Sequence, residues 1–569
     1  MRLSMSKSKN STSLYVIRST YENGVHSSKI IEKLGTVNEL SKKLNGQDPI
    51  WWAKKYIEEL NQKEKEESRE VIVKYSPSKV IAKGEQRSFN GGYLFLQQIY
   101  HGLRLNKICA EISRKYKFTF DLNSILSRLL YARVIYPSSK LATFQLSTRF
   151  IEQPVFELQH IYRALEVIAK EADLIQSALY NNSLKISKRN TGVLYYDCTN
   201  YFFEIEQEEG LKQYGVSKEH RPNPIVQMGL FMDGDGVPLA FSINKGNTNE
   251  QLTLKPLEEK ILSDFELSRF IVCTDAGLAS EANRKFNNKG ERAFITTQSI
   301  KKLKAYLKEW ALNPKGWSLD DGTTYDITEL DETKNKDKVF HKERWIKENG
   351  LEQKIVVTYS IKYRDYQRII RNSQIERAQK TIDSNPGKLK KCNPNDYKRF
   401  IEKSHCTADG EVAEHELYSI NTELISKEEA FDGFYAVCTN LEDDASAIIR
   451  VNQRRWEIEE CFRIMKSEFK ARPVYLSRDD RIEAHFMTCF ISLVIYRLLE
   501  KKLNGKYTCQ EIINGLREMD FLEMKGDGYI PCYTRTEFTD DLHEAFGFRT
   551  DYQIVGTSQM KKIFKGTKS

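Results

Sequence analysis

Three carboxylates stand where a carboxylate is costly unless it has a partner. Asp197 lies inside the apolar run VLYYDCTNYFF, Asp275 ends the apolar run FIVCT just before Ala-Gly, and Glu459 falls between Ile458 and Phe462 at helical spacing in VNQRRWEIEECFRIMKSEF. An ionised carboxylate buried in a strand must be paired, hydrogen-bonded or bound to a metal. Plainer readings exist for each. Asp197 and Asp275 could be capping or turn aspartates. Glu459, with Arg455 four residues before it and Lys466 seven after, could belong to a solvated salt-bridge stripe. Two strand carboxylates and a late helix carboxylate also have a joint use. Such a set holds two divalent ions about 3.5–4 Å apart, which activate a water or 3′-hydroxyl and stabilise the leaving oxygen of a phosphodiester. Oxygen donors suit hard Mg²⁺. Arg455 and Lys466 would then flank the site as phosphate binders, the first bidentate and the second a point charge.

The elements that must position these residues follow from pattern. Residues 13–35 predict a β-hairpin around Asn23-Gly24, and 48–69 an amphipathic, then highly charged helix started by Asp48-Pro49. From 91 to about 187 the apolar spacing is helical, with Pro137 separating helices. The texture changes near 190. Residues 191–204 predict a strand, 224–232 and 237–246 a hairpin across Asp233-Gly234-Asp235-Gly236, 250–264 a helix, and 268–275 and 292–298 short buried strands. Strands with helices between them imply a mixed α/β sheet. Residues 300–440 are more polar, with short strand-like runs around a basic helix at 362–382, and predict an insertion. Helices return at 444–469 and at the apolar stretch 481–503, expected as core. The expected organisation is therefore 1–90 as hairpin plus charged helix, 91–189 as a helical domain, 190–299 with 441–503 as the α/β core, 300–440 as insertion and 504–569 as C-terminal region.

Composition excludes several classes. The chain has 569 residues, 40% hydrophobic and 29% charged, too apolar for a disordered protein. Its 29 Gly and 13 Pro exclude collagen-like material. The most apolar segment, Phe486–Tyr496, is short for a membrane span, and MRLSMSKSKN lacks the apolar stretch of a signal peptide. No CxxC occurs among ten cysteines, so Cys198, Cys273 and Cys438 read as small core hydrophobes in a reducing, cytoplasmic compartment. The net charge of +9 permits a polyanionic partner without demanding one. No P-loop, HExxH or GxSxG motif is present, and the nine histidines are scattered.

At the late helix the spacing Arg455-x3-Glu459-x6-Lys466 resembles the Y-x2-R-x3-E-x6-K signature of a large group of bacterial insertion-sequence transposases of the DDE class, with Asn452 where the signature has Tyr. YYDCTNYFFE around Asp197, GVSKEHRPNPIVQMGL, PLAFSINKGNTNEQLTL and VCTDAGLAS around Asp275 resemble the same family, and PSSKLA (137–142) and GFYAVCTN do so more weakly. The similarity runs over about residues 90–550.

The resemblance implies an RNase H-like catalytic domain, a mixed sheet flanked by helices, with a β-rich insertion and a preceding α-helical domain. It implies the triad Asp197, Asp275 and Glu459. Asp197 would bridge two Mg²⁺ ions, with Mn²⁺ as substitute, and the other two carboxylates would hold one ion each. Arg455 and Lys466 would grip phosphates of the element end. Lys218 and Arg221 would add backbone contacts, or form an ordinary charged loop. Trp456 would stack on a base or pack in the core, and Asn452 would hydrogen-bond phosphate. The implied activity is cleavage at insertion-sequence ends and joining of the 3′ ends to target DNA. The implied partners are terminal inverted repeats, target DNA and a second subunit in a synaptic complex. The implied setting is a bacterial cytoplasm, associated with the nucleoid and with no membrane. Residues 91–189, with the N-terminal region, would recognise the ends. The rival readings are a metal-dependent nuclease without strand transfer, a non-catalytic DNA-binding relic and a structural helical protein. The last leaves Asp197 unexplained.

Overall fold

The computed structural model describes all residues except 9–10, 23–24, 45–46, 68–75, 320, 385–394 and 407–411. It divides into two units, Met1–Glu85 and Gln86–Ser569. In the first, strands β1 (Arg2–Lys7), β2 (Thr12–Glu22) and β3 (Val25–Thr36) form an antiparallel sheet. Helices α1 (Val37–Lys43) and α2 (Pro49–Glu67) accompany it. Thr36 and Glu39 cap α1 reciprocally, and Leu14, Leu40 and Ala53 form a small core. Strands β2 and β3 pair as the hairpin pattern predicts, while the expected Asn23-Gly24 turn lies outside the described residues.

The second unit opens with β4 (Ser88–Asn90) and six helices: α3 (Tyr93–Gly102), α4 (Leu105–Lys115), α5 (Leu122–Ile135), α6 (Lys140–Ser147), α7 (Leu158–Lys170) and α8 (Ala172–Ile186). Asp121 caps α5 and Ser139 caps α6, each accepting from a first-turn backbone N–H. Pro137 stands between them, where a helix cannot continue.

The large sheet follows. Its strands are β5 (Val193–Phe202), β6 (Ile225–Asp233), β7 (Pro238–Lys245), β8 (Ile271–Thr274) and β9 (Ala293–Thr297), with helices α9 (Leu254–Asp264) and α10 (Glu281–Phe286) between. The predicted helix at 250–264 begins with a 3₁₀ turn at Glu250–Leu252, and α9 starts only at Leu254. Pro256 then falls in the first turn, where its missing N–H removes no helical bond. Strand order is β7-β6-β5-β8-β9, antiparallel from β7 to β5 and parallel from β5 to β9.

The sheet does not stop there. Beyond α11 (Ala305–Leu312) come β10 (Trp317–Ser318), β11 (Thr324–Tyr325), β12 (Phe340–Glu348) and β13 (Leu351–Tyr359). Next are α12 (Ile361–Ser384), the hairpin β14 (Ile401–Cys406) and β15 (Val412–Ile420), α13 (Thr422–Glu429) and β16 (Phe434–Thr439). β16 pairs with β9 on one edge and β13 on the other, so β10–β13 and β16 extend one ten-stranded sheet. The expected separate insertion at 300–440 is thus largely woven into the sheet. Trp317, Phe340, Val357 and Tyr359 share its core with Phe294 of β9. α12, β14, β15 and α13 of the same segment stay outside that sheet, with a small core of their own around Ala378, Phe400 and Ile401.

After β16 come α14 (Ala445–Gln453), α15 (Trp456–Arg463) and α16 (Asp479–Lys502). The C-terminal region adds α17 (Cys509–Glu518), β17 (Asp520–Met524), β18 (Gly528–Pro531), α18 (Glu537–Phe546), β19 (Val555–Gly556) and α19 (Thr557–Gly566). α16 is long and apolar enough to cross a membrane by length and composition. Within the protein nearly every residue from Ile482 to Leu499 is buried. α3, α5, α7 and the β7 face of the sheet pack around it, so the helical segment 91–189 and the sheet share one core. β17 pairs with β4, and the buried Asn90 side chain donates to the carbonyls of Leu516 and Arg517, tying the C-terminal region to the start of the unit.

Candidate active site

Alternation along β5 decides which way Asp197 points. Leu194, Tyr196 and Cys198 belong to the core beneath α9, whereas Tyr195 and Tyr201 belong to the core shared with α15 and α16. Asp197 is in phase with the tyrosines and so faces α14 and α15. Tyr195 Oη donates to the Val451 carbonyl at 2.8 Å, fixing β5 against α14. β5 runs parallel to β8 with Tyr195 opposite Cys273. Continuing that register by two residues sets Asp275 level with Asp197, at the carboxyl end of β8.

The electrostatics agree with this placement. Burial pushes the Asp197 carboxyl up to about 6; Lys218 opposes the rise and the Asp275 carboxylate adds to it. Asp197 Oδ1 accepts from the Cys198 N–H at 2.7 Å. Asp275 Oδ1 accepts from the Leu278 N–H at 3.0 Å, so the turn-capping role is real, and it coexists with proximity to Asp197.

Cations ring the pair. Lys218 Nζ donates to the Cys198 carbonyl and lies 3.2 Å from Glu250. Burial works against its ammonium, but Asp197 and Glu250 outweigh that and hold its pKa above the ordinary lysine value. Lys466 projects over the Tyr201 ring; burial and the neighbouring Lys218 depress it to about 8, against the pull of Asp197. The Arg455 guanidinium also acts on Asp197. Lys466 stands 3.4 Å from Glu219, which also pairs with Arg472 and, at 3.9 Å, with Arg221. Arg221 stacks on Phe202 with its guanidinium 4.2 Å from the ring centre. Glu219 and Arg472 escaped the sequence reading. Glu219 sits inside the quoted run GVSKEHRPNP, but only the fold brings it between three cations.

The late helix differs from expectation. The segment 451–469 is not one helix. It breaks at Arg454-Arg455 between α14 and α15 and ends in a π turn over Ile464–Glu468, which carries Lys466. Glu459 lies 3.2 Å from Arg455, and its side chain is 59% exposed. Among the described residues no three His, Cys, Asp or Glu side chains stand close enough together to hold a metal. The structure therefore brings together Asp197, Asp275, Lys218, Arg455 and Lys466, while Glu459 is turned to its own arginine.

Two further placements bear on the sequence reading. Asn452 is buried rather than presented as a phosphate donor. Its Nδ2 donates to Tyr435 Oη at 3.1 Å, and that hydroxyl also bonds Thr297 Oγ1 at 2.6 Å. A tyrosine from β16 thus occupies the space beside the position where the signature carries its own. Trp456 is 61% exposed, so it is not a core residue. With Tyr363, Tyr366, Tyr435, Arg455 and Glu459 it lines a cleft of about 550 Å³.

Two adjacent carboxylates ringed by cations on a mixed sheet define an α/β protein with a site of oxygen donors and cationic side chains. The family described as "Transposase DDE domain" matches residues 202–495, just over half of the chain, and the chain belongs to that family. Asp275 and Glu459 fall within the matched span, and Asp197 lies five residues before it. Among solved structures, the chain is similar to the piggyBac transposase of a cryo-EM synaptic complex with hairpin DNA, at 9% identity. The match covers 76% of this chain and 82% of that one, with a TM-score of 0.36. No curated protein matches the sequence.

Proposed function

We propose that the protein is a DNA transposase that cleaves the ends of an insertion sequence and joins the 3′ ends to target DNA. Membership of the DDE family supports DNA cleavage and joining as the class of activity. The observation that carries the reading to this site is the proximity of Asp197, midway along β5, to Asp275, just past the end of the parallel β8, within reach of Lys218, Arg455 and Lys466. The order β7-β6-β5-β8-β9, with its antiparallel and parallel halves meeting at β5, supports an RNase H-like core.

The residues fit a hard divalent cation. Asp197 and Asp275 offer only oxygen donors, and burial and mutual repulsion both oppose the Asp197 charge, costs that a cation between them would relieve. Asp197 and Asp275 would hold Mg²⁺, or Mn²⁺ in its place, and Glu459 would complete a two-ion set on leaving Arg455. Such ions supply an activated nucleophile and charge stabilisation at the scissile phosphate. The protein's own groups do the rest. Arg455 and Lys466 grip flanking phosphates, Lys218 and Arg221 hold the backbone from the opposite loop, and exposed Trp456 offers a base-stacking surface.

The finer reading places the protein in the bacterial insertion-sequence group with the Y-R-E-K signature, acting in the cytoplasm as a homodimer that pairs two element ends. Cleavage of labelled element-end DNA with Mg²⁺ tests it, comparing wild type with Glu459→Gln. Loss of cleavage with binding retained supports the triad, and equal cleavage by both proteins refutes it. Cleavage without strand transfer to a target duplex favours the nuclease. Binding without any cleavage favours the relic.

A further inference from the structure

The run PSSKLA, at the start of α6, has no part in the site above, yet it builds an unusual pocket. Lys140 is only 6% exposed and Arg133 4%. Both line a cavity of about 390 Å³, together with Lys470, Arg472 and His485, and no carboxylate lines it. Lys140 has no hydrogen-bond or ion-pair partner among the described residues. Arg133 spends its terminal nitrogens on the carbonyls of Phe469, Lys470 and Ser138, and its buried Nε has no acceptor. His485 Nε2 is taken up by the Ala471 carbonyl. Burial, with Arg133 adding to it, depresses the Lys140 ammonium to about 7.

Two buried cations without a counter-ion are expensive, and a protein retains them where an anion supplies the missing charge. The donors at the cavity are the Lys140 ammonium and the N-terminus of α6 behind its Ser139 cap, beside the positive charge of the Arg133 guanidinium. That set suits a compact, multiply accepting oxyanion. The pocket is also linked to the catalytic cleft. Arg472 on its rim pairs with Glu219, which lies beside Lys466, and Lys466 faces Asp197.

We propose that this pocket is a phosphate site that holds one backbone phosphodiester of the DNA strand entering the Asp197 cleft. The choice of DNA as the source rests on the transposase reading, whereas the oxyanion chemistry does not.

Two measurements on the full chain test it. In the first, the melting temperature is followed against inorganic phosphate and against chloride at equal ionic strength. The expected result is a rise specific to phosphate in wild type and none in Lys140→Met. In the second, binding of a duplex of arbitrary sequence is followed by anisotropy across a salt series. Lys140→Met is expected to weaken binding about tenfold and to flatten the log–log salt slope by about one, the loss of one phosphate contact. Lys140→Arg should restore most of that slope. An unchanged slope and affinity in Lys140→Met would overturn the DNA assignment, even where the phosphate response is present. If Lys140→Met does not fold, the wild-type arm still decides, because phosphate stabilising no more than chloride overturns the site. Neither readout needs cleavage, so failure of the transposase reading shows separately, as DNA bound through Lys140 but never cut.

Discussion

Arg455 lies 3.2 Å from Glu459, one helical turn along α15, and the same guanidinium acts on Asp197 across the cleft. One cation thus engages both the strand and the helix members of the proposed triad. Arg455→Lys keeps the charge but loses the planar fork that serves two partners. The expected result is DNA cleavage reduced about tenfold or more with folding intact, measured as single-turnover cutting of element-end DNA. Wild-type rates in Arg455→Lys would show that the fork is dispensable.

Asp197 costs stability in the metal-free protein. Burial pushes its carboxyl up to about 6, well above the ordinary aspartate range, so the folded state binds the proton more tightly than the unfolded chain. The group's favourable contribution is full below about pH 4 and is lost as pH rises through about 6. Asp197→Asn is therefore expected to match wild type in acid and to exceed it at neutral pH by about 1–3 kcal/mol, while abolishing cleavage. Denaturant melts in EDTA at the two pH values measure this. Adding Mg²⁺ should then stabilise wild type and leave Asp197→Asn unmoved.

Tyr435 and Asn452 satisfy each other inside the protein. Tyr435→Phe removes the hydroxyl shared with Thr297 and strands the Asn452 amide, at an expected cost of about 1–3 kcal/mol in unfolding free energy. Asn452→Tyr, which restores the signature residue, crowds the same space and should cost about 1–3 kcal/mol. Urea midpoints of the two variants decide the point, and a stabilised Asn452→Tyr would contradict it.

Arg189 and Asp233 form a fully buried ion pair at 2.6 Å. Arg189 also donates to the carbonyls of Val237 and Pro238, and Asp233 accepts from the N–H groups of Asp235 and Val237, so the pair shapes the β6–β7 turn. Arg189→Met leaves a buried carboxylate unpaired and is expected to cost about 3–5 kcal/mol. Adding Asp233→Asn should recover part of that loss in a thermal melt.

Much of the catalytic frame was legible in the sequence because it is local. Apolar runs around Asp197 and before Asp275 are buried strands, and Asp-Gly repeats mark the β6–β7 turn whatever surrounds them. Pairings that join distant segments were not legible. Nothing in GFYAVCTN says that this strand inserts between β13 and β9, and the polar residues around it read as an insertion. The break at Arg454-Arg455 was hidden because both halves of 451–469 carry helical spacing. Trp456 stayed open between two readings for a different reason: an aromatic residue among apolar neighbours has the same pattern whether its ring turns in or out, and its exposure in the fold excludes the core reading.

β16 sits between β13 and β9, strands from well before it in the chain, and it lies between Asp275 and Glu459 in sequence. β5 to β9 come first along the chain, and β9, already paired with β8, gains its second neighbour only with β16. α14 and α15 arrive later still. Long-range pairing of this kind is slow. A chain that ends between Asp275 and Arg455 carries both aspartates yet lacks Arg455, Glu459 and Lys466. The proposed triad is therefore the last part of the frame to be supplied along the chain, because its helix member comes from the segment that follows β16.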